Sequence, residues 1–104
     1  MNWLIQIETE LQRIRPNENP GRIRTTARRV AGFAIRHYYN NPSNDMLAML
    51  HTAANDVALP EEVRFAIERL VARLDANFKS PSVDPIGDAA YIVSFVKNSL
   101  NENS

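Results

Sequence analysis

The sequence predicts an all-α protein, a single-domain bundle of about five helices over residues 1–104. Apolar residues recur at intervals of three and four in each long segment, which is the period of an α-helix. Proline-containing breaks separate these segments, and no segment alternates apolar and polar residues as a half-buried strand does. A chain of 104 residues is also long enough to bury one unaided hydrophobic core.

The first two predicted helices occupy about residues 2–15 and 21–40. In the first helix the apolar stripe consists of Leu4, Ile7, Leu11 and Ile14. The stretch PNENPG, residues 16–21, ends this helix because its prolines and glycine favour a loop. In the second helix one face consists of Ile23, Ala27, Val30, Ala34 and Tyr38. The small residues of this face predict close approach by a neighbouring helix.

Three further helices are predicted after proline-containing breaks. The third follows NNPS, with Ser43 or Asn44 as its N-cap, and runs to about residue 56. The fourth begins at the ALPEE stretch and continues to about Phe78. The fifth is capped by Asp84 and runs to about Leu100.

The composition excludes several kinds of site. There is no cysteine, so neither a disulfide nor a thiolate metal site can form. No apolar stretch approaches the roughly 20 residues that cross a bilayer, and the N-terminus lacks a signal-peptide pattern. We therefore expect a cytoplasmic protein with no membrane partner, no cofactor and no metal.

Catalytic patterns are also missing from the sequence. His37 and His51 are the only histidines, and neither has the spacing of a zinc motif. The three glycines are isolated, so they do not form a phosphate loop. No set of nucleophile, base and orienting residue is recognisable. The sequence therefore predicts a protein that is not an enzyme.

Charge is distributed unevenly although the net charge is zero. Residues 1–39 contain seven arginines and three glutamates, about +4, whereas residues 40–104 contain five basic and nine acidic side chains, about −4. On the second helix an arginine row recurs every seven residues and comprises Arg22, Arg29 and Arg36. Arg24 and Arg28 flank this row and Phe33 lies at its edge, so we expect a shallow basic trough with Gly32 as its floor.

The arginine row has three interpretations. It grips phosphates with aromatic help, as single-strand binders do, or it faces a protein partner through ion pairs. Alternatively, it is a solvated face whose arginine stems cover apolar surface.

An acidic row on the fourth helix favours the protein interface. It comprises Glu61, Glu68 and Asp75, again seven residues apart, with Phe65 beside it. Exposed ion pairs contribute only about 0–1 kcal/mol each, so matching rows on two subunits would select partner and register rather than supply affinity. Tyr91 and Phe95 on the fifth helix point away from its core stripe and form a candidate contact surface, unless that helix is covered on both sides.

The order of the segments resembles the HEPN superfamily of small helical bundles, which occurs in toxin–antitoxin pairs and defence systems. The resemblance covers about residues 20–100 and rests on ARRVAGFAIRHYY, on LPEEVRFAIERLVARLDANF, on a polar loop with SVDP, and on DAAYIVSFVKNSL. It implies a helical bundle, a homodimer and a binding or accessory role. Active HEPN ribonucleases place a histidine four to six residues after an arginine near the end of the long helix. Here no histidine follows Arg69 or Arg73, and Asn77 and Phe78 occupy that region, so the resemblance does not extend to ribonuclease activity.

Taken together, these patterns favour a non-catalytic helical interaction module, a homodimeric accessory or regulatory protein whose partner is a second copy or another protein subunit. The alternative is a small nucleic-acid-binding protein that uses the arginine-rich face of the second helix. A further alternative is a degenerate HEPN-type ribonuclease.

Overall fold

The computed structural model describes residues 3–15, 19–40, 45–72 and 82–102. These ranges contain five α-helices: α1 (Trp3–Gln12), α2 (Pro20–Tyr39), α3 (Met46–Ala54), α4 (Glu61–Val71) and α5 (Pro85–Glu102). No strand occurs within the described ranges. The predicted all-α bundle is confirmed, and the helix starts agree with the sequence prediction to within a few residues.

The central element of the bundle is α2, because all four other helices pack against it. Its buried residues are Ala27, Val30, Ala31, Gly32, Ala34 and Ile35. The sequence predicted a narrower stripe, since it treated α2 as a helix with only one buried face. In the fold the buried arc is wider, and only the face that carries Arg22, Arg29 and Arg36 stays largely outside the core.

Side chains define the ends of α2 and α3. The Asn19 side chain accepts a hydrogen bond of 2.7 Å from the amide of Gly21, and α2 ends at Asn40 in the left-handed conformation, with φ 52°. At the start of α3 the N-cap is Asp45, whose carboxylate accepts from the Ala48 amide. The prediction of Ser43 or Asn44 as this cap was therefore wrong, because the acid just before the helix takes that position.

The helix α4 is shorter than predicted. It ends at Val71, and Ala72 has an extended backbone with φ −64° and ψ 147°. The continuation to Phe78 expected from the sequence falls on residues 73–78, which lie outside the described residues.

Asp84 caps α5 as the sequence predicted. Its carboxylate accepts a hydrogen bond of 3.0 Å from the amide of Gly87. A Cβ atom at Gly87 would lie 2.2 Å from an oxygen of this carboxylate, so a larger residue there would displace the capping side chain.

One hydrophobic core joins the helices. Its largest fully buried side chains are Ile35, Leu50, Leu59, Ile67, Leu70, Ile92, Val30, Val63 and Val96. Trp3 and Leu11 of α1 pack on the edge of this core. Of the helices in the described ranges, none combines the length and apolar character that crossing a membrane requires.

Candidate functional site

The arginine row on α2 is divided in the fold. Arg22 and Arg29 line a groove between α1 and α2, whereas the Arg36 guanidinium lies over the Phe33 ring, 5.3 Å from its centroid. Gly32, the predicted floor of a trough, is buried, and a Cβ atom added there would lie 2.8 Å from the Cβ of Met46. The prediction of an open trough was wrong at this position because the start of α3 packs on Gly32.

The groove between α1 and α2 has two adjoining parts. The larger part has a volume of about 640 Å³, and its lining residues include Glu10, Arg13, Arg22, Arg24, Thr25 and Arg29. The smaller part has a volume of about 520 Å³ and is lined by Gln12, Arg13, Arg15 and Arg22. Arg13 and Arg22 line both parts, so the two are continuous. We call this feature the arginine groove and define it by Arg13, Arg15, Arg22, Arg24 and Arg29.

Glu10 is the acidic residue of the arginine groove among the described lining residues. One carboxylate oxygen lies 3.4 Å from the Nη1 of Arg13, and the other lies 3.4 Å from the Nη1 of Arg29. The Glu10 side chain is only 12% exposed, while both arginines are much more exposed. These ion pairs are long and partly solvated, so each is worth at most about 1 kcal/mol. An incoming anion can therefore compete for both guanidinium groups.

Arg28 forms hydrogen bonds within the chain, to the end of α4. Its Nε donates a hydrogen bond to the Leu70 carbonyl, and its Nη2 donates to the Ala72 carbonyl at 3.3 Å. The last carbonyls of a helix have no partner within the helix, so a cation at this position closes the end of α4. Burial, and then the charge of Arg24, lowers the pKa of Arg28. The sequence placed Arg28 among partner contacts, but its guanidinium bonds within the chain.

Arg24 presents a donor that lacks an acceptor. Its Nε is buried and has no hydrogen-bond partner in the part of the chain that the structure describes. The positive charge of Arg24 contributes to the lowered pKa of Arg28, which indicates crowding of cations on this side of α2. A negatively charged ligand near Arg24 would relieve that crowding.

The acidic row on α4 is partly described. Glu61 and Glu68 are exposed, and Phe65, with 45% exposure, lies between them along the helix. Asp75 lies outside the described residues.

Arg69 links α4 to α5. Its Nη2 and Nε donate to the two carboxylate oxygens of Asp88 at 2.9 and 3.2 Å, and Ser82 donates to the same carboxylate at 2.6 Å. Burial raises the pKa of Asp88, but the hydrogen bonds from Arg69 and Ser82 outweigh burial and the pKa lies below its usual value. Asp88 lies in the first turn of α5, and its carboxylate accepts bonds from these two side chains. Arg73 and Asn77, the other residues of the HEPN comparison, lie outside the described residues.

Tyr91 and Phe95 of α5 differ in their surroundings. The Tyr91 ring is 45% exposed, and its hydroxyl donates a hydrogen bond of 2.8 Å to Glu62 of α4, which raises the pKa of Tyr91. Phe95 is partly buried against the core, with its ring centroid 5.6 Å from that of Tyr38. Both still line a shallow groove of about 300 Å³ together with Ser94, Asn98 and Ser99. We call Phe65, Tyr91 and the accessible edge of Phe95 the aromatic surface.

The two histidines lie on different helices and do not contribute to the arginine groove or to the aromatic surface. His37 stacks on Trp3 of α1 with ring centroids 5.0 Å apart, and His51 is exposed on α3. Among the described residues, no three histidine, aspartate or glutamate side chains come together as a metal-binding group.

Sequence reasoning missed Arg13 and Arg15 as site residues. They follow α1, in the stretch LQRIR, and they reach the groove only because α1 packs against α2. Two arginines just before a loop that leads into an arginine-rich helix were the available signal.

Comparisons of the chain with protein-family models, with curated proteins and with solved structures find no match. The resemblance to HEPN proteins therefore stays a prediction.

Proposed function

We propose that this protein is a non-catalytic helical interaction module that forms a homodimer in which the aromatic surface of each copy packs on the α2 face of the other copy that carries Phe33 and Arg36. The observation that carries the proposal is that two aromatic residues, Phe65 on α4 and Tyr91 on the adjacent helix α5, are each 45% exposed. Aromatic residues are enriched at the centres of protein interfaces, where they supply large contact areas.

A hydrogen bond within the subunit positions the Tyr91 ring. Its hydroxyl is held by Glu62, which lies on the helix that carries Phe65. A fixed aromatic ring loses little conformational entropy on binding, so more of its burial energy is available for affinity.

Charge complementarity favours a second copy as the partner. Glu61 and Glu68 accompany Phe65 on α4, and Arg36 accompanies Phe33 on α2. In a two-fold dimer the acidic aromatic face of each copy meets the basic aromatic face of the other, so each contact occurs twice. Such charge pairs fix orientation, while burial of the rings supplies affinity.

Sedimentation equilibrium of the full chain tests this proposal. We expect a dimer whose dissociation constant rises at least about tenfold in Phe65→Ser, a loss of about 1.4 kcal/mol. Ile5→Ser is the matched control, because Ile5 is 54% exposed on α1 and lies outside the aromatic surface. A monomer at all concentrations up to about 1 mM, or equal effects of the two substitutions, contradicts the proposal.

A further inference from the structure

The arginine groove concentrates positive charge along both sides of one cleft. Its described lining contains five arginines and one carboxylate, that of Glu10. In the sequence, residues 10–29 contain six arginines and two glutamates. Arginine carries a planar fork of donors that matches the oxygens of a phosphate group, so this composition favours a phosphate-bearing ligand.

Several groups in the groove add to this preference. Gly21 and Arg22 belong to the first turn of α2, where the helix dipole is positive, and both line the cleft. The buried Nε of Arg24 has no acceptor among the described residues. Arg13 and Arg29 share the single carboxylate of Glu10 through long contacts. The Nε of Arg24 and the weakly paired guanidinium groups of Arg13 and Arg29 are therefore available as donors.

The shape of the groove favours a single extended chain of phosphates. Its two parts, of about 640 and 520 Å³, join through Arg13 and Arg22, so the cleft is longer than one phosphate group requires. A cleft of this volume has room for a few linked nucleotides of one strand, whereas a duplex is too wide to enter it and would contact only its rim.

The described lining of the groove contains no aromatic residue. Trp3 is stacked on His37, and Phe33 is covered by Arg36. Base stacking is therefore not available from the described lining, and contacts to the backbone have to supply the affinity.

We propose that the arginine groove binds the phosphodiester backbone of single-stranded nucleic acid without reading its base sequence. Arg13 and Arg29 exchange the Glu10 carboxylate for phosphate oxygens, and Arg15 and Arg22 extend the track towards the end of α1. This site is separate from the aromatic surface, so it adds a ligand to the proposed interaction module.

Fluorescence anisotropy of the full chain with a labelled oligothymidylate of roughly 12 nucleotides tests the site. Contact by four arginines predicts a slope near 2.8 of log affinity against log salt, about a fifty-fold loss of affinity between about 50 and 200 mM salt. In the double variant Arg13→Gln and Arg22→Gln we expect the slope to fall by about 1.4. Glu10→Gln should strengthen binding, because it removes the competing carboxylate.

Lys97→Gln is the matched control. Lys97 is exposed on α5 and outside the groove, and its substitution removes one positive charge, as each groove substitution does. Its affinity and salt slope should equal those of the wild type, and circular dichroism should report the same helix content for every variant.

Three results would overturn the proposal. The first is no binding at about 0.1 mM protein in about 50 mM salt, which lies at the weak end of non-specific binding. The second is a loss in Lys97→Gln of at least half that of the double variant, which would indicate diffuse charge. The third is binding of a duplex or of inorganic tripolyphosphate at least as tight as that of the single strand, which would remove the assignment to single-stranded nucleic acid.

Discussion

Arg28 of α2 donates its Nε hydrogen to the carbonyl oxygen of Leu70, at the C-terminal end of α4. With its second bond, to Ala72, this side chain ties the central helix to the end of another helix more than 40 residues away in sequence. The bond lies where α4 ends and the backbone at Ala72 becomes extended. The end of α4 is thus fixed by a contact that its own sequence does not contain.

Removal of this contact should destabilise the fold. In Arg28→Ala the carbonyls of Leu70 and Ala72 lose their donor, and we expect a loss of about 1.5–3 kcal/mol in the free energy of unfolding, measured by urea denaturation. Arg29→Ala on the next position of the same helix removes only a long, exposed ion pair and should cost less than about 1 kcal/mol. Equal losses in the two variants would show that Arg28 does not hold the end of α4.

Most features that depend on residues close together in sequence were predicted correctly, whereas contacts between distant helices were not. Periodicity predicted the helices because that signal is local, and the Asp84 cap is local for the same reason. The role of Arg28 and the burial of Gly32 depend on helices that are distant in sequence, so a wheel drawn for α2 alone placed both on an open face.

The residues of the arginine groove also differ in how far the sequence predicted them. Arg22 and Arg29 were recognisable from their spacing on one helix. Arg13 and Arg15 join them only through the packing of α1 on α2, which a pattern within one helix does not encode.

The pairing of Arg69 with Asp88 predicts a pH dependence of stability. The pKa of Asp88 is lowered in the folded chain, so its ionised form stabilises the fold above its usual pKa of about 4. This contribution is lost as the pH falls from about 4 through the lower pKa that Asp88 has in the folded chain, because Asp88 of the unfolded chain binds its proton at the higher pH.

The test is the difference in unfolding free energy between wild type and Asp88→Asn over about pH 2–7. We expect the wild type to be more stable by about 1 kcal/mol near neutrality, with the difference shrinking below about pH 4. Glu8→Gln serves as a control because Glu8 is an exposed carboxylate on α1, with no cation bonded to it among the described residues. A difference for Asp88→Asn that is constant over the whole range would contradict the role of the ionised carboxylate.

The contact between Gly32 and Met46 predicts an unusual response to alanine. In an exposed helix interior, replacing glycine with alanine stabilises by about 1 kcal/mol. At Gly32 the added Cβ would lie 2.8 Å from the Cβ of Met46, and overpacking of this kind costs about 1–3 kcal/mol. We expect Gly32→Ala to leave the melting temperature unchanged or to lower it.

Truncation of Met46 tests whether the added methyl group at Gly32 clashes with the Met46 Cβ or with the flexible end of the Met46 side chain. The atom nearest to the added methyl group is the Met46 Cβ, which alanine retains, so Met46→Ala should not rescue Gly32→Ala fully. A clear rise in melting temperature for Gly32→Ala alone would mean that α3 does not pack this closely on α2.

The proposed dimer predicts how self-association responds when charges on α2 and α4 are reversed. We propose that Arg36 faces Glu68 of the second copy, so Arg36→Glu brings two negative charges together. Self-association should weaken by about three- to tenfold, because exposed charge pairs contribute up to about 1 kcal/mol each. Adding Glu68→Arg restores the opposite pairing and should recover part of this loss. Because rescue requires direct coupling between the two positions, the double variant separates a shared contact from two independent effects.

Arg15→Glu with Glu68→Arg is the control, since Arg15 belongs to the arginine groove and should show no rescue. Sedimentation equilibrium at two salt concentrations measures the single variants Arg36→Glu, Glu68→Arg and Arg15→Glu and both double variants. Additive effects of Arg36→Glu and Glu68→Arg would refute a contact between these side chains.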